Sequence, residues 1–270
     1  MSSGLGISVR PPAVAGSFYP GAPAALRASV VSLMREAEHA PTHTIDHPKA
    51  IIVPHAGYIY SGAAAAAGFA RLARDADTIT RIVLLGPAHR AHVRGLAAPS
   101  TAAFSTPLGE IALDRAAIDA LADLAYVTID DHAHAHEHSL EVQLPFLQRI
   151  LKRFTLVPLV VGAARDDQVA TVIERLWGGP ETRFVVSSDL SHYLPSDEAR
   201  RIDAVTAGAI ERLDPGPLTH DHACGRTPIA GLLATARRRA LRIERLALCN
   251  SGDTAGPRDR VVGYGAWALG

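Results

Sequence analysis

The chain has 270 residues, 48% hydrophobic and 20% charged. That composition excludes a disordered chain and supplies enough apolar residues for a sizeable core. Lys+Arg and Asp+Glu both number 27, so no overall basic field exists to draw nucleic acid or an anionic membrane, and neither is expected as a partner.

The two cysteines, Cys224 and Cys249, cannot build a disulfide framework. One pair stays possible, but a reducing compartment is the simpler reading. The N-terminal "MSSGLGISVRPPAVAGSFYPG" lacks the apolar stretch with charged flanks that marks a targeting segment. No run reaches the roughly 18 apolar residues of a membrane span. A cytoplasmic location is the resulting expectation.

In chain order, "PAALRASVVSLMREAEHA" (23–40) reads as a helix opened by Pro. "AIIVP" (50–54) reads as a buried strand, and "SGAAAAAGFARLARDA" (61–76) as a helix capped by Ser61. "RIVLLG" (81–86) is a second strand, and Pro-Leu-Gly inside "FSTPLGEIALD" (104–114) marks a hairpin at a sheet edge. In "SLEVQLPFLQRILKR" (139–153), Leu140, Leu144, Leu147 and Leu151 recur at helical spacing, with Ser139 as the expected cap and Pro145 as a bend. Strands "FTLVPLVVG" (154–162), "RFVVSSD" (183–189) and "RVVGYGAWAL" (260–269) follow, with helices at 166–179, 196–214 and 226–240 among them. Continuous β-branched runs are how strands covered on both faces read. Strands alternating with helices predict an α/β fold with a largely parallel central sheet and helices on both faces.

The tails of the strands carry the chemistry. "AIIVP" runs into His55, "RIVLLG" into His89, and "RFVVSSD" into Asp189 and then His192. Ligands in open parallel sheets bind outside the carboxyl ends of the strands. Neighbouring strands would therefore gather these side chains in one crevice, and Cys224 joins them if its turn lies over the same edge. Two His with an anionic group form a metal-binding set suited to zinc, copper or iron. Ligands this far apart carry no spacing signal, so Cys224 stays open among small buried hydrophobe, nucleophile and ligand.

A second cluster lies in "DDHAHAHEHSLEVQLP". Alternating His and Ala suits a solvated loop, whereas Glu137, His138 and Glu141 are better placed near a helix start. The two glutamates could hydrogen-bond a metal-ligating His, and Tyr58, Asp131 and Glu137 could line the pocket. His134 and His138 have the i, i+4 spacing of a zinc protease, but Ala135 stands where the general-base Glu belongs. No dinucleotide, P-loop or nucleophile-elbow motif is present. Ser187, Asp189 and His192 lie too close in sequence for a catalytic triad. Arg226, at an expected helix N-terminus, could bind an anion.

Eight motifs then occur in order: "VAGSFYPG", "PHAGYIYSG", "LLGPAHR", "EHSLEVQLPFL", "VPLVVG", "VSSDLSHY", "CGRTPI" and "GYGAWAL". Together they resemble the Memo family (mediator of cell motility), whose prokaryotic members are called AmmeMemoRadiSam system protein B. The resemblance spans residues 9–269. It implies a single domain over 1–270, similar to class III extradiol ring-cleavage dioxygenases. It also implies a metal held by His55, His89 and Cys224, with Asp189 and His192 beside it and His192 as the acid/base group. Cys224 would stand where those dioxygenases use a carboxylate on Fe(II). Arg90 stands where some members have a further His.

Three functions follow as expectations. The first is a redox enzyme using non-haem iron, with copper or zinc as alternatives, acting on a small molecule. The second is an adaptor whose crevice accepts a phosphopeptide through Arg226, His192 and a metal or water. The third is a partner of AMMECR1-like and radical SAM proteins in a modification pathway.

Overall fold

The computed structural model describes residues 8–38 and 44–270. The chain opens with a two-residue strand, β1 (Val9–Arg10), and then α1 (Pro23–Glu38), which buries Leu26, Val30 and Met34. The last two positions of the helix expected at 23–40 lie outside the described residues, as do residues 1–7. β2 (Ala50–Val53) follows, and α2 begins at Tyr58 and runs to Leu72. Its N-cap is Gly57, without a side-chain cap. Ser61, expected to cap it, instead donates to the Ala56 carbonyl at 3.0 Å.

β3 (Arg81–Pro87) and β4 (Leu96–Ala98) come next. The hairpin expected from Pro-Leu-Gly is β5 (Ala103–Thr106) and β6 (Gly109–Ala112), antiparallel, and β5 also pairs with β1 in a separate three-stranded sheet. Short elements α3 (Arg115–Asp119), β7 (Val127–Ile129) and α4 (Asp131–Ala135) lead to a 3-10 turn at Glu141–Gln143 and α5 (Leu144–Ile150). Pro145 therefore does not bend a long helix. It sits in the first turn of α5, where its missing N–H costs nothing. All four leucines of the expected stripe are buried.

The second half runs β8 (Thr155–Val161), α6 (Asp166–Arg175), β9 (Thr182–Ser187), β10 (His192–Leu194), α7 (Ser196–Glu211), α8 (Arg226–Arg238), β11 (Ile243–Asn250) and β12 (Val261–Leu269). One nine-stranded sheet gathers most strands in the order β10-β12-β2-β9-β3-β8-β4-β7, with β11 also on β12. Its centre, β2-β9-β3-β8, is parallel. The flanks are antiparallel: β12 runs against β2, β10 and β11, and β4 against β8.

The sheet is thus mixed around a parallel core. Residues of β2 and β9 are buried along their whole length, as strands covered on both faces must be. One helix layer is α1, α2 and α5; the other includes α6 and α8, with α8 against β3 and β9. No described helix is long and apolar enough to cross a membrane. Both cysteines are free.

Candidate metal centre

β2, β9 and β3 are adjacent and parallel, so their carboxyl ends share one edge of the sheet. That edge carries His55 just past β2, Asp189 just past β9 and His89 just past β3. The three line one crevice of about 940 Å³, together with His138, His192 and Cys224. Cys224 arrives on the turn before α8. Gly225 permits its approach, because a Cβ there would meet Ser188 Cβ at 2.6 Å and the Ser187 carbonyl at 2.7 Å.

His138 comes from the loop before the 3-10 turn. Gly86 lets that loop close on β3, since a Cβ at 86 would meet Ser139 Oγ at 2.8 Å. Ser139 does not cap a helix; its hydroxyl donates to the Pro87 carbonyl at 2.9 Å and ties the loop to the end of β3.

One ligand atom from each of His55, His89 and His138 lies within 4.8 Å of the others, so this trio could hold a metal ion. The rings of His89 and His138 stack at 4.7 Å, and that of His55 stands nearly perpendicular to His138 at 5.5 Å. Cys224 Sγ is 3.4 Å from His55 Nε2.

Hydrogen bonds decide which nitrogens face the site. Ser187 Oγ donates its only proton to the Ser139 carbonyl at 2.6 Å. It must therefore accept from His55 Nδ1 at 2.8 Å, as it does from Gln143 Nε2 at 2.9 Å. His55 Nδ1 thus carries hydrogen, and the Nε2 lone pair faces Cys224. Glu137 does the same for His89, taking Nδ1–H at 3.0 Å and the His89 backbone N–H at 2.5 Å. His138 Nδ1 stands 3.3 Å from Glu137 Oε1, off the line a hydrogen bond needs, and is a buried nitrogen without a hydrogen-bond partner. Open lone pairs on oriented imidazoles are what a transition metal takes from a protein, so these residues fit one.

Electrostatics agree with that reading. Burial, then the neighbouring imidazoles, push His55 well below its usual range. Burial brings His138 down to about 4. For Glu137 burial works upward, but hydrogen bonding and charge from His89, with backbone N–H groups, hold it at about 2. Burial lifts Asp189 to about 7 and Cys224 to about 12. Coordination lowers a thiol strongly, so Cys224 would ionise only with a cation beside it. Asp189 accepts the backbone N–H of His55 at 2.7 Å. His192, partly buried, lines the same wall.

Other expected site residues stand elsewhere. Tyr58 is buried away from the crevice, donating its hydroxyl to the Val142 carbonyl at 2.8 Å, and Tyr60 lines the crevice instead. Asp131 caps the Ser100 backbone N–H at 2.7 Å and its hydroxyl, outside the site. Arg226 donates to Asp166 at 3.0 Å and to the Leu218 carbonyl at 3.1 Å, so its fork is already engaged. Glu141 contacts no imidazole of the trio; Arg10, Tyr19 and two backbone N–H groups saturate it. The sequence suggested His138 for an outer or substrate-binding role; here one of its ring nitrogens lies within 4.8 Å of ligand atoms of His55 and His89. Ser187 and Gln143 carried no sequence signal for orienting His55.

Comparison with known proteins agrees with this architecture. The family described as Memo-like protein matches residues 10–268. A MEMO1 family protein of Aquifex aeolicus is 37% identical over 95% of this chain and 97% of its own length. Those of Methanosarcina barkeri and Archaeoglobus fulgidus are 36% and 35% identical, over 96% and 95% of this chain and 98% and 97% of theirs. Among solved structures, the uncharacterized protein JW3007 from Escherichia coli K12 is similar with a TM-score of 0.54 at 14% identity, covering 81% of this chain and 98% of that one, a likeness of fold. On the family match and these relatives together, the chain belongs to the Memo family.

Proposed function

We propose that this chain is a metal-dependent redox enzyme acting on a small molecule. His55, His89 and Cys224 would be ligands, with His138 as an additional or alternative one. The observation that carries the reading is the pair of tautomer locks, Ser187 on His55 and Glu137 on His89, which engage Nδ1 of both rings and leave Nε2 free of them, that of His55 3.4 Å from the half-buried Cys224 thiol. Imidazole with thiolate suits iron or copper, and zinc by affinity. When bound, iron or copper would supply one-electron and dioxygen chemistry.

The chain's own residues would do the rest. Glu137 and Ser187 hold the imidazoles in register. His192, which lines the crevice outside the trio, would move a proton to or from a substrate. Asp189 fixes the His55 backbone. A modification pathway shared with AMMECR1-like and radical SAM proteins is compatible with this chemistry. The phosphopeptide-adaptor reading loses the cation assigned to it, because Arg226 is bound to Asp166.

The test is elemental analysis with anaerobic iron and copper titration of wild type, His55→Ala, His89→Ala, His138→Ala and Cys224→Ala, followed by oxygen uptake. Stoichiometric metal lost in the variants, with oxygen consumption by the wild type, supports the reading. A folded wild type that takes up neither iron nor copper sinks it.

A further inference from the structure

Asp203 is a buried carboxyl that the proposed chemistry does not use. It stands on α7 with 2% of its surface exposed. Burying such a group costs free energy unless it is bonded, so its partner is informative. Its Oδ1 accepts the Ser191 backbone N–H at 3.0 Å. β12 makes room for it, because a Cβ at Gly263 would collide with Asp203 Oδ2. The strand pair explains why a side chain is needed there. β10 pairs with β12 only from His192 onward, and the register slips before Leu194. Ser191 lies one residue short of that ladder, so its N–H takes a carboxyl oxygen in place of a strand carbonyl.

The peptide unit between Leu190 and Ser191 has both of its ends engaged. Its N–H goes to Asp203. Its carbonyl goes to His192. Burial lowers His192, and a hydrogen bond with the Leu190 backbone opposes that; only a carbonyl accepting from a ring N–H acts in this direction. The flanking groups are fastened to β12: Leu190 N–H donates to the Gly263 carbonyl, and Gly263 N–H to the Ser191 carbonyl, each at 2.8 Å. One amide plane thus runs from carboxyl to imidazole. A carboxylate on the N–H polarises the carbonyl at the other end and strengthens the bond that this carbonyl accepts. A neutral ring that donates one N–H keeps its other nitrogen bare, as an acceptor. His192 lines the crevice, whereas Asp203 lies outside its lining.

We propose that Asp203 is a positioning residue for His192, acting through the Leu190–Ser191 peptide. The carboxyl sets the plane of that amide, and the Leu190 carbonyl then holds His192 in one tautomer, with the other ring nitrogen free to take a proton. The link from Asp203 to the imidazole stands on these contacts alone. The use of His192 in proton transfer rests on the function proposed above.

Nitrogen and proton NMR of the metal-free protein at neutral pH reads the relay in wild type, Asp203→Ala, Asp203→Asn and Thr206→Val. Thr206 is buried on the same helix, and its hydroxyl donates to the Ile202 carbonyl of that helix, so its variant controls for a loosened α7. Wild type should show His192 as a single tautomer. Asp203→Ala should raise the minor tautomer about fivefold to tenfold, the weight of about one hydrogen bond. Asp203→Asn keeps an acceptor without the charge. It should keep the wild-type tautomer, with the Ser191 amide proton and the His192 ring proton both moving upfield. Thr206→Val should leave His192 unchanged. A mixed tautomer in wild type overturns the proposal. So does an unchanged His192 in a folded Asp203→Ala, or a change as large in Thr206→Val. Where Asp203→Ala does not fold, Asp203→Asn decides, and a Ser191 amide that moves while the His192 ring proton stays overturns the relay. Iron and copper titration of the wild type separates the two readings. An intact relay in a protein that takes up neither metal upholds this assignment and defeats the metal reading alone, and metal uptake with a broken relay does the reverse.

Discussion

Glu137 and Glu141 lie one helical turn apart in sequence, and both are buried, at 2% and 0% exposure. Each accepts four hydrogen bonds, yet the two networks end differently. Glu141 takes Arg10 and the Tyr19 hydroxyl, both at 2.5 Å, and the backbone N–H groups of Ala13 and Val14. Arg10 in turn reaches the carbonyls of His134 and Glu137, so every partner is used up within the protein. Glu137 takes His89 twice and the backbone N–H groups of His138 and Ser139. Its partners keep nitrogens that point into the crevice with nothing to bind. A closed buried network fastens a segment, here the N-terminal strand; an open one prepares a site.

Breaking the closed network should give the largest effect. Glu141→Ala leaves Arg10 charged, buried and unpaired, a loss of about 3–5 kcal/mol in unfolding free energy. Urea denaturation measures it. Replacing both partners with apolar residues, Arg10→Met with Glu141→Leu, removes the stranded charge but also unpairs the Ala13 and Val14 N–H groups, the Tyr19 hydroxyl and the carbonyls of His134 and Glu137, so only a small part of that loss should be recovered. A double variant as unstable as the single one would show that Glu141 does more than balance Arg10. Breaking the open network should act on the metal instead. Glu137→Gln should weaken zinc or iron binding by about 10–100-fold, with a smaller change in stability than Glu141→Ala. Equal metal affinity in Glu137→Gln and wild type would remove Glu137 from the site.

How much of this was legible depends on distance along the chain. Local periodicity revealed the central strands and the larger helices, and parallel strand ends placed His55, His89 and Asp189 on one edge. Strand direction was not legible, because an apolar run reports burial and not polarity; nothing in the 260–269 run marked β12 as antiparallel to its neighbours. β10 is three residues long with a register shift, too short and irregular to leave a pattern. The pairing of β1 with β5 joins Val9 to Ala103, a contact nothing local encodes.

Within the site, side-chain direction was the weak point. Tyr58 and Tyr60 are two helical positions apart, about 200° around the axis, and only Tyr60 faces the crevice. Arg226 has the expected place at the start of α8 but turns to Asp166 of α6, a partner 60 residues away. His138 comes within 4.8 Å of His55 and His89 because Gly86 and Ser139 draw its loop onto β3, which no spacing rule foretells.

The Ser187 lock is subtler than the Glu137 lock, because a hydroxyl replaces a carboxylate. Ser187→Ala frees His55 Nδ1 and strands Gln143 Nε2 on one side. Metal affinity should fall by about tenfold, the low end for an outer partner, and nitrogen NMR of the metal-free protein should show His55 as a tautomer mixture. Ser187→Thr keeps the hydroxyl and should restore the single tautomer. A single Nδ1–H tautomer persisting in Ser187→Ala would assign the lock to something other than this hydroxyl.

The smallest effect separates the networks by pH. In the metal-free protein, burial holds His134 and His138 at about 4 and His55 well below its usual value. Unfolded histidines titrate near 6.5. Between about pH 4.5 and 6.5 the unfolded chain therefore binds protons that these folded imidazoles refuse, and stability rises with pH. Asp189 opposes them. Burial raises it to about 7, so the folded state keeps a proton that the unfolded carboxyl releases near 4, and that contribution is lost as pH climbs. Burial also lowers His192 and raises Asp203, so four imidazoles stand against two carboxyls and the net slope stays positive. Asp189→Asn removes the opposing proton while keeping an acceptor for the His55 N–H, and should steepen the slope by at most about 1.4 kcal/mol per pH unit. Urea unfolding of chelator-treated wild type and variant at pH 4.5, 5.5 and 6.5 reads the difference. Parallel slopes would mean that Asp189 enters the metal-free site already ionised, and that the open network carries its negative charge before any cation arrives.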